Sequence, residues 1–129
     1  MEDLPIYHWN NKSILVVEDD ESSTYLLNEI LKGTGARVKY TTDGKEAVEY
    51  VRKHPDTDLI LMDIHLPEKD GFTATREIKA IARSVVVIAQ TAYAFSVDHH
   101  EAEKAGCDAF FTKPLNPYLL LDKMNSFLS

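Results

Sequence analysis

Apolar positions along the chain change period in a regular way. "ILVV", Ile14 to Val17, is a short unbroken apolar run, the pattern of a strand buried on both faces. Leu26, Leu27, Ile30 and Leu31 follow at helical spacing, and "GTG", Gly33 to Gly35, ends that helix. "RVKYTT", Arg37 to Thr42, alternates as a strand does. Asp43, with Glu46 three residues on, opens a second helix as a capping box. Its inward stripe is Ala47, Val48 and Val51, and Pro55 stops it. "LILM", Leu59 to Met62, is a third strand, and "PEKDG", Pro67 to Gly71, a turn. Phe72, Ile78, Ile81 and Ala82 mark a third helix. "VVVIA", Val85 to Ala89, is a fourth strand, followed by a helix over Ser96 to Ala105 that Gly106 closes. "AFFT", Ala109 to Thr112, is the fifth strand, and Leu119, Leu120, Met124, Phe127 and Leu128 make the last helix.

Five strand–helix alternations predict an α/β fold with a parallel sheet and helices on both faces. Residues 1–12 fall outside the pattern, as an arm, a strap packed through Trp9, or a linker; residues 13–129 form the expected domain. A length of 129 residues suits one core. No apolar run approaches the roughly 20 residues of a membrane span. The acidic start "MEDLPIYHWNNK" is not a secretory signal. One cysteine, Cys107, leaves no internal disulfide and suits a reducing cytoplasm. A net charge of −7 argues against direct nucleic-acid binding and fits a basic partner or a bound cation.

Charge is concentrated where the first strand ends. "SILVVEDDES" runs from a buried strand into Glu18, Asp19, Asp20 and Glu21. Two like charges 4 Å apart repel by about 4 kcal/mol at an effective dielectric near 20. Such side chains splay into water or surround something positive. In open α/β sheets ligands bind at the carboxyl ends of the strands. There this chain offers Glu18 and Asp19 after strand 1, Asp63 after strand 3, Thr91 after strand 4, and Lys113 with Pro114 after strand 5. Strand 2 offers Thr41, Thr42 and Asp43, as an outer strand would. Each has an ordinary explanation alone: dipole-stabilised helix-start acids, a turn aspartate, a β-favouring threonine. Their convergence from four strands on one edge does not. Clustered carboxylates without soft ligands select a hard cation such as Mg²⁺. A metal, an ammonium and a hydroxyl together suit an incoming phosphoryl group, with a carboxylate as its acceptor. Asp63, on the central strand, is the best candidate.

Four blocks, "ILVVED", "DLILMDIHLPEKDG", "VIAQTAYA" and "AGCDAFFTKPL", in order and spanning about Ser13 to Leu128, resemble the response-regulator receiver (CheY-like) family. The resemblance implies a flavodoxin-like (βα)5 three-layer sandwich with strand order 2-1-3-4-5. It implies that Asp63 accepts phosphoryl from a histidine kinase or phosphotransfer domain. Asp19 would hold Mg²⁺ directly, Glu18 through water, and His65 through its backbone carbonyl. Thr91 and Lys113 would contact the phosphoryl group, Thr91 and Phe110 would form the switch, and Lys113–Pro114 would be cis. Such a domain catalyses only its own phosphorylation and dephosphorylation, contacts neither nucleic acid nor membrane, and is a monomer or weak dimer. The junction "LPIYHWNNKSILVVEDD" resembles that of hybrid kinases, so a cytoplasmic receiver of a membrane-anchored kinase is one expectation and a stand-alone protein the other.

Glu18 stands where many members have Asp, and Phe110 where many have Tyr. His65 and Tyr93 occupy flanking positions that tune phosphoryl lifetime in the family. Asp20 and Glu21 read as solvated acids. His99 and His100, being adjacent, face different sides of a helix and read as a solvated face rather than a metal pair. Phe95, Phe110, Leu115, Pro117 and Tyr118 read as either core packing or an output surface. A phosphohydrolase of the haloacid-dehalogenase type would need a second Asp where His65 stands. A flavodoxin-type FMN carrier would need a phosphate-cradling first loop, and "EDDES" would repel phosphate.

Overall fold

The computed structural model describes residues 4–92 and 96–129; Tyr93 and Phe95 lie outside them. In chain order the elements are β1 (Ser13–Val17), α1 (Glu21–Leu31), β2 (Arg37–Thr41), α2 (Gly44–Lys53), β3 (Leu59–Asp63), α3 (Gly71–Ile81), β4 (Val86–Thr91), α4 (Ser96–Ala105), β5 (Ala109–Thr112) and α5 (Pro117–Leu128). A 3-10 turn, Lys32–Thr34, closes α1, and Gly35 leaves it with φ 79°, a left-handed conformation suited to glycine. The five strands pair in parallel in the order β2-β1-β3-β4-β5. This is the flavodoxin-like arrangement expected from the sequence.

The strands are apolar on both faces because both faces are covered. Ile14, Val16, Leu59, Leu61 and Ile88 point to one side, where α1 and α5 bring Leu27, Ile30, Leu31, Leu120 and Met124. Leu15, Val17, Ile60, Met62 and Val87 point to the other, against Ala47, Val48 and Val51 of α2 and Ala74 and Ile78 of α3. A smaller cluster joins Ile64 and Ala89 to Ala102 of α4, with Phe72, Cys107 and Phe110 at its margin.

Side-chain caps start the helices where the sequence places acids or amides. Asp20, Asp43, Asp70 and Asn116 each accept from a backbone N–H in the first turn of α1, α2, α3 and α5. At α2 the predicted capping box is half made: Asp43 accepts from the Glu46 amide at 2.8 Å, whereas the Glu46 carboxylate accepts from the Thr42 hydroxyl at 3.1 Å.

Several boundaries differ from the periodicity. β3 extends through Asp63, and β4 runs on through Gln90 and Thr91, because neighbours continue the ladder there: Ile64 N donates to Gln90 O, and Lys113 N to Thr91 O. β2 stops at Thr41. Leu26, Leu119 and Phe127, read as inward, are exposed on the outer flank of their helices. Trp9 is 3% exposed. It packs with Leu4 and Tyr7 against the α1–α5 core, stacks on Tyr7, and donates from Nε1 to Asn125 Oδ1 at 3.1 Å. Residues 4–12 are therefore a strap on that face.

Candidate functional site

β1 ends at Val17, and Glu18 N still donates to Thr41 O at 3.0 Å. That ladder bond holds the Glu18 backbone in the sheet while its side chain turns in, leaving Glu18 2% exposed. Asp19 and Asp20 turn out toward solvent. Asp63 is the last residue of the all-buried β3 and is itself 5% exposed. Its Oδ1 accepts from His65 N at 3.0 Å. One carboxylate oxygen each from Glu18, Asp19 and Asp63 lie within 4.8 Å of one another. The opening of α3 presses against the same strand end. Gly71 N donates to Ile64 O, and a Cβ at Gly71 would lie 2.5 Å from the Asp63 carbonyl oxygen, so glycine is required by close approach.

The positive group comes from β5. After Thr112 the chain passes through a cis Lys113–Pro114 bond. Lys113 Nζ reaches back to Glu18 Oε1 at 2.7 Å and to Asp63 Oδ2 at 3.5 Å. Ser23, one turn into α1, lies 3.5 Å from the same ammonium. The sequence does not single out Ser23; the only signal was its place four residues after Asp19. Thr91 ends β4 fully buried, beside Thr112 in register, and its carbonyl accepts from Lys113 N. Phe110 is half-buried on β5 opposite Ala89.

The electrostatics follow from burial. Desolvation pushes the Glu18 carboxyl up to about 7, although the Lys113 hydrogen bond works to lower it and Asp63 works with burial to raise it. Burial alone would lower Lys113, but its hydrogen bond to Glu18 and the charges of Asp63 and Glu18 hold its pKa above the ordinary lysine value. Asp20 is held below the carboxylate norm chiefly by the Ser23 backbone N–H, as a helix cap is. One ammonium thus serves two buried carboxylates with a third close by, and the donor set is entirely hard oxygen.

Most predicted site residues converge on this edge: Glu18, Asp19, Asp63, Thr91 and Lys113. His65 is exposed and meets the cluster through its amide. His99 is not simply solvated, since its ring stacks on Phe110. The profile of the response regulator receiver domain matches residues 14–125. The chain belongs to the response-regulator receiver family. It is 35% identical over 119 residues to the polar-differentiation response regulator DivK of Brucella ovis, covering 91% of this chain and 96% of DivK. Among solved structures, the receiver domain of sensor histidine kinase PA1611 from Pseudomonas aeruginosa PAO1 is 34% identical with TM-score 0.84. That alignment covers 91% of this chain and 97% of that one, and the relative carries a magnesium ion in its active-site cleft. The receiver domain of a signal transduction histidine kinase from Syntrophus aciditrophicus is 31% identical, TM-score 0.82, over 91% and 89% of the two chains. The receiver fold and its acidic pocket are those of a phosphoryl-accepting two-component module.

Proposed function

We propose that this receiver takes a phosphoryl group on Asp63 from a phosphohistidine and relays its arrival to the α4–β5–α5 side of the sheet. The observation that carries this is Lys113 Nζ, held 2.7 Å from Glu18 and 3.5 Å from Asp63 inside a buried carboxylate cluster. An Asp63 oxygen attacks phosphorus as the phosphorus–nitrogen bond of the donor breaks, and the imidazole leaves with that electron pair. Lys113 pairs with the phosphoryl oxygens. Thr91, already at the strand end, supplies a hydroxyl donor. The reaction is on the protein's own side chain, with no external substrate.

The acidic cluster fits a divalent cation. Glu18 is buried beside other carboxylates, and its raised pKa marks a negative charge that Lys113 alone does not satisfy. Mg²⁺ matches the hard donors: Asp19 and Asp63 would hold it by their carboxylates, Glu18 would act through water, and the His65 carbonyl would complete the protein's share. When bound, the ion supplies charge neutralisation at the phosphoryl oxygens.

The partner is a histidine kinase or a phosphotransfer domain. Beside Lys113, Leu26, Leu27, Pro114 and Leu115 line a largely apolar cleft of about 390 Å³. Leu26 on its lining stands exposed, as do Tyr25 on α1 and Tyr118 and Leu119 on α5, and exposed apolar side chains grouped in a patch mark a protein contact. We place the protein in the cytoplasm as a monomer or weak dimer that touches neither nucleic acid nor lipid; no described helix is long and apolar enough to cross a membrane. Membership in a hybrid kinase is supported by its likeness to kinase receivers.

Incubation with a small acyl phosphate and Mg²⁺, followed by intact-mass measurement, tests the assignment. One phosphoryl group is expected on the wild type and none on Asp63→Asn. Equal phosphorylation of the variant would refute it.

A further inference from the structure

The beginning of α4 touches two parts of the signalling apparatus at once. Asp98 Oδ2 lies 3.5 Å from Nε2 of His65, on the loop that follows Asp63. The next residue, His99, lays its imidazole on the Phe110 ring, with centroids 5.0 Å apart and planes within 3°. His99 Nε2 also lies 3.3 Å from Glu103 Oε1, one turn on, with both side chains largely exposed. Adjacent helical residues diverge by about 100°, so one helix end can hold both the acceptor loop and the β5 aromatic. A nearly parallel pair at this centroid distance is offset-stacked, the favourable geometry for two rings. On its other side Phe110 meets the small cluster of Ile64, Ala89 and Ala102. It is therefore shared between a surface partner and the core.

We infer that His99 is a positioning residue for the switch: its ring holds Phe110 in the outward position, and Asp98 ties the same helix to the acceptor loop, so that α4 latches the unphosphorylated state. This rests on the reading of Asp63 as acceptor and Phe110 as switch. Phe110 cannot turn toward the space behind Thr91 without leaving His99. The stack exists only in the outward state, so it biases the equilibrium toward that state. Removing it lowers the work of switching, and a ligand that favours the inward state then binds more tightly. A ring pair of this kind is worth about a two- to tenfold change in such an equilibrium.

The test uses the full chain with beryllofluoride and Mg²⁺ as the phosphoryl mimic. His99→Ala is expected to bind the mimic two- to tenfold more tightly than wild type, and His99→Phe, which keeps a ring on Phe110, within about twofold of it. In the mimic-free protein, the ¹³C shifts of a labelled Phe110 ring should move in His99→Ala and stay near wild type in His99→Phe. Because His99 is exposed, both variants should fold, which circular dichroism checks. Wild-type affinity in His99→Ala, or an unmoved Phe110 resonance, overturns the latch while leaving the receiver reading intact. A wild type that does not bind the mimic at all overturns both.

Discussion

α2 and α4 lie on the same face of one sheet and are fastened to it differently. α2 opens on a capped Asp43 and sinks Ala47, Val48 and Val51 into the cluster built on Leu15, Val17, Ile60 and Met62. Among the described side chains of α4, only Ala102 and Ala105 are buried. The other contacts of its described side chains include polar and aromatic ones: Asp98 with His65, His99 with Phe110, and Glu101 with Arg76 at 3.8 Å. Two alanine methyls remove little apolar surface from water, whereas two valines and an alanine remove several times more. Elements with few buried apolar contacts open first. The loosely fastened helix is also the one beside β4 and β5, whose ends carry Thr91 and Lys113. Low anchoring energy and proximity to the site coincide in α4, as a responsive element requires.

The largest expected effect breaks the well-fastened side. Val51→Ala removes two buried methyl groups and should cost about 2–3 kcal/mol in urea denaturation. Asp98→Ala and His99→Ala should each stay within about 1 kcal/mol of wild type. Equal losses from the two helices would end the comparison.

Next comes the acidic cluster. The Glu18 pKa is raised in the folded protein from 4.5 to about 7, so between those values the folded state holds more proton than the unfolded chain. Stability of the metal-free protein should therefore fall as pH rises through that window and level off above it. Glu18→Gln should remove the slope, and Mg²⁺ should flatten it by stabilising the ionised form. A stability that rises over the same window would contradict the charge balance described for Glu18.

A smaller effect sharpens the link between site and helix. Thr91→Ala should still be phosphorylated on Asp63, since Asp63, Lys113 and the metal-binding acids remain. It should lose most of the α4–β5 response, because a hydrogen bond to a charged group, about 1.5–3 kcal/mol, no longer favours the switched state. Backbone NMR shifts with and without beryllofluoride would show this. A full wild-type response in the variant would remove Thr91 from the relay.

How much of this was legible follows from the same physics. Parallel strands covered on both faces print as unbroken apolar runs, and "ILVV" and "LILM" sit where β1 and β3 sit. Acids and a lysine at successive strand ends can be read because the topology brings those ends together. Contacts made by single side chains across the fold leave no such trace. Trp9 lies in a segment without periodicity, and its partner Asn125 is 116 positions away. Helix geometry alone makes His99 and His100 a solvated face, but the partner of His99 is an aromatic on another element. Leu26 and Leu119 obey helical spacing yet stand exposed; Leu26 borders the cleft beside Lys113, where periodicity cannot tell a core face from a docking face.

On the proposed function, occupation of the Asp63 site is felt at α4 and β5 and not at α2. Amide hydrogen exchange of the wild type, with and without beryllofluoride and Mg²⁺, tests it most directly. The predicted result is altered protection across α4, β5 and the start of α5, with α2 unchanged. Equal change in α2 and α4, or change in neither while the mimic is bound, would contradict it.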